Sequence, residues 1–285
     1  MPAKKGQDQP PRPRTASAAN DPPTVPFEPA SPLLAGRPWL TFLLPIAVYM
    51  VVGSFEPAPP KPAFILPDGT SRPALNQNWF GLEYHQYPIV YTVKIALTIA
   101  AMLFVLPGYR QFPFRISPLA IAVGIIGVVL WIALCQLHLE RKLLAQLGLE
   151  KILGLGERPA FNPLDELAAT PTWAYTFLAI RFLGLALIVP IIEEFFLRGF
   201  LMRFVVLENW WTVPFGTLTT AAAVIGTAVP MLMHPGELLA AFVWFSLVTW
   251  LMVRTKNIWD CVAAHAATNL LLGIYVVTQH QWQLW

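Results

Sequence analysis

Charged residues are scarce in this chain. Of its 285 residues only 12% are Asp, Glu, Lys or Arg, whereas 56% are apolar, and the mean hydropathy is +0.55. Soluble domains carry about 25% charged residues, so this composition excludes a water-soluble globular protein. Disorder along the whole chain is also excluded, because 18 Phe, 11 Trp and 7 Tyr residues cannot all stay solvated. The sequence predicts a protein that crosses a membrane several times.

Cysteine is nearly absent too. Cys135 and Cys261 lie inside apolar segments, which excludes a disulfide framework and a cysteine-based zinc motif. The net charge of +3 comes from short basic patches between apolar runs and in the N-terminal tail, a pattern that marks membrane topology. We therefore expect a lipid bilayer as the surroundings and no nucleic-acid partner. No cleavable signal is expected, because the first 30 residues lack an apolar core.

The apolar runs divide the chain into three regions. Residues 1–38, rich in Pro, Ala and Ser, predict a disordered cytoplasmic tail. Residues 39–170 predict N-terminal transmembrane helices and loops, and residues 171–285 a C-terminal helix bundle. A transmembrane helix needs about 20 apolar residues. Seven stretches qualify or nearly qualify: 39–55, 88–106, 118–137, 173–206, 213–233, 238–253 and 258–278. The fold prediction is all-α, a polytopic membrane bundle of about seven to eight transmembrane helices.

Two stretches have unusual lengths, and the connections carry an orientation signal. The fourth is too long for one straight span, so we expect it to tilt or to kink at Pro190. The sixth is short and predicts a helix that does not cross fully. Basic residues fall on alternate connections, which by the positive-inside rule places the N-terminus in the cytoplasm.

Ionisable residues inside apolar helices are functional candidates, because charge at mid-bilayer costs about 2.5–3.5 kcal/mol on insertion scales. Lys94 lies near the start of its helix, so we expect it to snorkel to water. Arg181 lies about two turns into the fourth stretch. It is compatible with snorkelling, with pairing to a loop carboxylate, or with contact to a substrate.

The densest polar cluster is Glu193, Glu194 and Arg198 in the fourth stretch. Glu194 and Arg198 are four residues apart and share one helix face, which fits a purely structural ion pair as well as a role in chemistry. Glu193 is turned about 100° away and has no local cation at three or four residues' distance. A carboxylate inside an apolar helix without a nearby cation, as at Glu193, indicates a general base.

Two further polar groups follow in later helices. His234 precedes Pro235, so the helix should end at His234; a broken helix at membrane depth is tolerated where it is buried or lines a wet cavity. A surface position for His234 is the alternative. His265 and Asn269 are four residues apart among alanines, so their side chains share one helix face and neighbouring helices can approach closely.

The ordered set of motifs resembles a known family. Glu-Glu-x-x-x-Arg, then a His at a helix end, then His-x-x-x-Asn in the last helix is similar to the motif series of the CPBP intramembrane proteases, which include the type II CAAX prenyl endopeptidases. The resemblance covers about residues 170–280. More narrowly, the chain resembles the bacterial CAAX prenyl protease-related group that accompanies exosortase systems. One position departs from the pattern: Pro230 stands where the family usually has Phe, four residues before the His.

The resemblance implies roles for individual residues and a function. Glu193, His234, His265 and Asn269 would be catalytic, with Glu194 and Arg198 in support. The implied activity is an intramembrane endopeptidase that hydrolyses a peptide bond in a membrane-associated protein through a water activated by Glu193 and His234. Zinc bound by Glu193, His234 and His265 is the alternative to this metal-free mechanism, which we favour because no His-Glu-x-x-His pair is present.

Partners and location follow from the same resemblance. We expect a membrane-associated protein or peptide as substrate, exosortase-system proteins as partners, and the bacterial inner membrane as the location. A non-catalytic scaffold of the same fold and a proton-coupled transporter remain the competing functions. A shared site requires His234 to dip inward towards His265, and we expect the short sixth helix to make this geometry feasible.

Overall fold

The computed structural model describes residues 36–59, 80–137, 161–234 and 236–285, together with Leu34, two short strands within 64–72 and the single residues 139, 142 and 146. Nearly all of the predicted disordered tail, and much of the two longest loops, lie outside these residues. Within the described part of the chain the architecture is helical, and the all-α prediction is confirmed. The exception is a small antiparallel ladder between β1 (Phe64–Ile65) and β2 (Ser71–Arg72).

Nine helices make up the bundle over the described ranges. Their bounds are α1 Leu40–Gly53, α2 Tyr87–Phe104, α3 Leu106–Tyr109, α4 Pro118–Leu137, α5 Pro163–Glu166, α6 Pro171–Val206, α7 Thr220–Met233, α8 Leu238–Thr255 and α9 Ile258–Gln279. Five of them, α2 with its preceding 3₁₀ turn, α4, α6, α8 and α9, are long and apolar enough to cross a membrane, and α1 and α7 are shorter apolar helices. These seven helices correspond to the seven predicted stretches.

The shortened helix is the fifth apolar stretch, and the prediction that the sixth is short was wrong. Helix α8 has 18 residues and qualifies as a span. Helix α7 has only 14, a rise of about 21 Å against a hydrocarbon core of about 30 Å. Pro214 and Gly216, which has φ +91°, keep residues 213–219 out of the helix. The helix begins at Thr220, where the Thr219 side chain accepts the backbone N–H of Ala222 at 3.2 Å.

Helix α6 runs from Pro171 to Val206 with two π-helical turns, Gly184–Ile188 and Phe195–Leu201. The turns lie on either side of Pro190, the residue predicted to disturb the helix. A π turn shifts the hydrogen-bond ladder by one residue and is frequent at functional sites. The backbone irregularity of α6 is therefore concentrated around its acidic pair.

Small residues let α9 approach α4 closely, as its alanine-rich sequence predicts. A Cβ added at Gly124 would lie 2.7 Å from the carbonyl oxygen of Ala264. The Thr268 hydroxyl bridges the two helices, within 2.9 Å of the Gly124 carbonyl oxygen and 3.0 Å of that of Ala264. Helices α4 and α8 pack together as well, because Gly127 leaves room for the indole of Trp244. These contacts hold α4, α8 and α9 around one core.

The prediction that Lys94 snorkels was wrong. Its side chain is buried, forms an ion pair with Glu56 just beyond the end of α1, and lies 4.2 Å from the ring centroid of Tyr49 and 4.5 Å from that of Tyr91. A carboxylate and two aromatic faces replace water around the ammonium group. The contact ties α1 to α2 at this end of the bundle.

Candidate active site

A cavity of about 450 Å³ lies between α4, α6, α8, α9 and the end of α7. Four residues singled out in the sequence line it together: Glu193 from α6, His234 from the end of α7, and His265 and Asn269 from α9. Most of its remaining wall is aromatic or aliphatic. The structure thus brings four polar side chains from three segments to one largely apolar pocket.

Glu194 and Arg198 lie behind the cavity wall and are fully buried. The Arg198 guanidinium donates from Nη1 to Glu194 Oε2 and from Nη2 to the Phe245 carbonyl oxygen at 3.2 Å. The other carboxylate oxygen of Glu194, Oε1, lies 3.0 Å from His265 Nδ1. Both oxygens of one carboxylate are therefore used, one to balance the buried cation and one to orient the imidazole.

Glu193 faces the cavity instead. Its Oε2 lies 4.0 Å from His265 Nε2, and its side chain is 18% exposed. That separation is too long for a direct hydrogen bond but short enough for one water to contact both atoms. Because His265 uses Nδ1 on Glu194, its Nε2 is the ring nitrogen that faces Glu193. The i and i+1 carboxylates of α6 thus have different surroundings, as their positions on the helix predict.

His234 lies at the end of α7, as predicted from Pro235. Its backbone N–H bonds to the Met231 carbonyl oxygen at 3.0 Å, so the carbonyl oxygen of Pro230 loses its usual helical donor. The ring fills that role, with Nδ1 2.8 Å from the Pro230 oxygen. Since a carbonyl only accepts, Nδ1 carries the proton and Nε2 is left as an acceptor in the neutral ring. Pro230 therefore leaves α7 intact, and its carbonyl oxygen orients the imidazole.

The two cavity histidines pack against aromatic rings and share one of them. The ring centroid of His234 lies 5.5 Å from that of Trp131 and 5.7 Å from that of Phe245. The His265 centroid lies 6.2 Å from the same Phe245 ring. Both imidazoles thus contact Phe245 and line one cavity, which is the inward position predicted for His234. The short α7 is the physical reason.

Asn269 donates a hydrogen bond to a carbonyl oxygen of α6 that has no backbone donor. The Val189 N–H bonds back to Gly184, and Pro190 has no N–H, so neither residue donates to the carbonyl oxygen of Leu185. Asn269 Nδ2 donates to that oxygen at 2.8 Å. One amide hydrogen is used in this bond and a second remains.

Two other charged residues of the apolar helices, Arg181 and Asp260, lie outside this set of four. Arg181 is buried, donates from Nη1 to the Phe161 carbonyl oxygen at 2.9 Å and lies 4.6 Å from the ring centroid of Trp285. These partners are a backbone carbonyl and an aromatic ring, and contact with a substrate stays a prediction. Asp260 accepts the backbone N–H of Ser117 at 2.7 Å and so fixes the start of α4.

Sequence reasoning missed several residues that line the cavity. Tyr49 reaches it from α1, and Trp131, Trp244 and Trp285 supply aromatic walls from α4, α8 and the segment after α9. Tryptophan is common throughout this chain, and Tyr49 has no polar neighbour in sequence. Neither carries a local pattern that would separate a cavity wall from a lipid-facing position.

The zinc alternative needs three side chains that meet on one metal ion. Among the described residues, no group of three or more His, Cys, Asp or Glu side chains is arranged to hold a metal ion. His265 Nδ1 and His234 Nδ1 both have protein partners. Histidines that bind zinc through Nε2 usually donate Nδ1–H to such a carboxylate or carbonyl, so zinc held by Glu193, His234 and His265 stays the alternative.

The family comparison falls on this half of the chain. Residues 175–271 match the family described as "Type II CAAX prenyl endopeptidase Rce1-like". No curated protein and no solved structure matches the chain. The matched segment runs from α6 to α9 and contains Glu193, His234, His265 and Asn269. The chain is thus an integral membrane protein whose residues 175–271 are similar to the type II CAAX prenyl endopeptidases.

Proposed function

We propose that this protein hydrolyses a peptide bond of a membrane-associated protein in the cavity between α6, α7 and α9, through a water activated by Glu193 and His234. The observation that carries the proposal is the convergence of Glu193, His234, His265 and Asn269 on one cavity of about 450 Å³. Few chemistries justify four polar side chains in an otherwise apolar pocket at membrane depth.

Glu193 acts as the general base. Its carboxylate faces the cavity, while the neighbouring Glu194 is occupied by Arg198 and His265. A water between Glu193 and His234 Nε2 loses a proton to the carboxylate as its oxygen attacks the scissile carbonyl carbon. When the tetrahedral intermediate collapses, that proton passes to the leaving amine. The products are a new carboxylate and a new amine.

His265 and Asn269 stabilise the oxyanion. With Nδ1–H held by Glu194, a protonated His265 donates its Nε2–H into the cavity, and the Glu194 carboxylate supports the imidazolium charge. Asn269 donates its second amide hydrogen, because the first is bound to the Leu185 carbonyl oxygen. Donors fixed in advance and aimed at a developing negative charge are an effective source of catalysis in a low-dielectric site.

The substrate is a protein or peptide that reaches the cavity from the membrane. The aromatic walls formed by Trp131, Trp244 and Trp285 favour an apolar sequence on either side of the scissile bond. An exosortase-system protein and a lipidated chain are the two substrate classes to be tried first.

Charge at the two ends of the bundle supports an inner-membrane orientation with the N-terminus in the cytoplasm. Exposed basic residues at the end where α1 begins and α8 finishes are Arg37, Arg110, Arg115, Arg254 and Lys256. At the opposite end, Glu83, Asp165 and Glu166 are exposed and acidic. By the positive-inside rule the basic end faces the cytoplasm.

Comparison of protein termini in membranes tests the function even while the substrate is unidentified. Cells that lack the protein are complemented with the wild type, with Glu193→Gln, or with Glu208→Gln, which makes the same change at an exposed position outside the cavity. New carboxyl termini that appear with the wild type and Glu208→Gln but not with Glu193→Gln would support the proposal. Identical termini in all three strains would reject the proposal in favour of a scaffold. A proton flux that the wild type supports in proteoliposomes, and that Glu193→Gln abolishes, would favour a transporter.

A further inference from the structure

A second cavity lies on the other side of α6 from the candidate active site. It has a volume of about 420 Å³ and is bounded by the end of α2, the segment from α3 to residue 114, α6 and the start of α9. Ile188 and Ile191 form its α6 wall, whereas Val189 and Glu193 face the first cavity. The two cavities therefore share one helix but have different lining residues.

The second cavity opens to an apolar part of the protein surface. Leu103 and Phe114 line it and are 63% and 71% exposed. Nearly all of its wall is aliphatic or aromatic, with Met102, Ile191 and Trp259 among the lining residues. A space of this shape and chemistry fits a hydrocarbon chain.

One polar atom is buried in this apolar wall. The Tyr109 side chain is 4% exposed, and its hydroxyl has no hydrogen-bond partner among the residues that the structure describes. Its ring is fixed against Phe195, with centroids 4.3 Å apart. Burial raises the pKa of the Tyr109 phenol above its ordinary value, so the hydroxyl keeps its proton and is available as a donor. A buried donor of this kind calls for an acceptor oxygen.

A cation lies at the mouth of the same cavity. Arg110 lines it, follows Tyr109 directly in the chain, and is exposed. The basic end of the bundle surrounds this mouth, since Asn257 Nδ2 donates to the Arg115 carbonyl oxygen at 2.9 Å and so brings the end of α8 next to the loop. An anionic group is the natural ligand for a guanidinium at the level of lipid headgroups.

We propose that this cavity binds an anionic phospholipid of the surrounding leaflet, with an acyl chain between α2 and α6, an ester carbonyl on the Tyr109 hydroxyl and the phosphate on Arg110. The three parts of the ligand match three features of the cavity: its apolar wall, the buried Tyr109 hydroxyl and the exposed Arg110. The ligand is a bound lipid and not a substrate, because neither Glu193 nor either cavity histidine lines this site.

The test is lipid binding to the purified full chain, measured by native mass spectrometry with two probes. The first is phosphatidylglycerol, and the second is diacylglycerol with the same chains, which keeps the ester carbonyls but lacks the phosphate. Tyr109→Phe removes only the hydroxyl and should weaken both probes about three- to tenfold. Arg110→Ala should weaken phosphatidylglycerol about fivefold and leave diacylglycerol unchanged. Arg254→Ala, at an exposed position on the same end, is the matched control and should change neither.

Fluorescence locates the bound chain. Phosphatidylglycerol with brominated acyl chains should quench the wild type more than Trp259→Phe, because Trp259 lines the cavity, and Tyr109→Phe should reduce this difference. Equal binding of phosphatidylglycerol by the wild type, Tyr109→Phe and Arg110→Ala would overturn the proposal. So would an equal loss in Arg254→Ala, or quenching that does not depend on Trp259. None of these readouts involves proteolysis.

Discussion

His265 Nδ1 lies 3.0 Å from Glu194 Oε1, inside a wall that also buries Arg198 against the same carboxylate. One acidic side chain thus links a cation with no access to water and an imidazole that faces the cavity. This arrangement separates two consequences of changing Glu194, one for folding and one for chemistry.

Substitutions at Glu194 and Arg198 should affect stability in a non-additive way. Glu194→Gln leaves the Arg198 cation buried without its counter-charge and should destabilise the protein by about 3–5 kcal/mol. The double variant Glu194→Gln with Arg198→Met removes both charges and should recover much of that loss. Thermal unfolding in detergent measures both. Peptide cleavage should stay low in the double variant, because His265 has lost its carboxylate; full recovery of cleavage would show that Glu194 has no positioning role.

The contributions of Asn269 to stability and to cleavage can be tested separately in the same manner. Asn269→Leu leaves the Leu185 carbonyl oxygen without a donor and should cost about 1–3 kcal/mol. Pro190→Ala supplies a backbone N–H that can continue the π turn and donate to Leu185. Adding it to Asn269→Leu should recover part of the stability but not cleavage, since the amide is still missing from the cavity. If Pro190→Ala gives no recovery of stability, the hydrogen bond to the Leu185 carbonyl oxygen is not the reason that Asn269 stabilises the protein.

Gly127 should tolerate no side chain. An added Cβ would collide with the Trp244 indole, which lines the candidate active-site cavity. Gly127→Ala should destabilise the protein by about 1–3 kcal/mol. If the collision moves Trp244 into the pocket, the cleavage rate should also fall, by up to roughly a hundredfold. Gly36→Ala is the matched control, because nothing lies within 4 Å of its added Cβ. Unchanged cleavage by Gly127→Ala would mean that the Trp244 position does not matter to the site.

Cleavage should proceed without zinc. The proposed chemistry needs no metal ion, because Glu193 and His234 activate the water and His265 and Asn269 stabilise the oxyanion. Elemental analysis of the purified protein should therefore find zinc well below one equivalent, and a zinc chelator should leave cleavage unchanged. Stoichiometric zinc that is lost together with activity, and restored with it, would establish the metal mechanism instead.

Much of the fold and of the polar set could be predicted from the sequence, because each depended on local patterns. Seven apolar stretches become seven apolar helices, the end of α7 follows from Pro235, and Glu193 and Glu194 point in different directions as helix geometry requires. What could not be predicted depended on contacts between distant segments. Lys94 does not snorkel because Glu56 and two tyrosines meet it from elsewhere in the chain.

The length of α7 shows the same limit. Residues 213–219 are apolar enough to extend the helix, but Pro214, Gly216 and the Thr219 cap set its start at Thr220. Helix α7 therefore begins seven residues later than predicted. This late start, and not a short α8, places His234 beside Phe245 and in the cavity with His265. Hydropathy alone carries no information on this choice of starting residue.

The most direct measurement is the cleavage rate of Glu193→Gln in proteoliposomes, with a peptide identified from the membrane termini and with Glu208→Gln measured in parallel. The carboxylate is the proposed base, so the rate should fall by at least roughly a hundredfold while the unfolding temperature and Glu208→Gln stay at wild-type values. A Glu193→Gln protein that cleaves the peptide as fast as the wild type would contradict hydrolysis at this cavity.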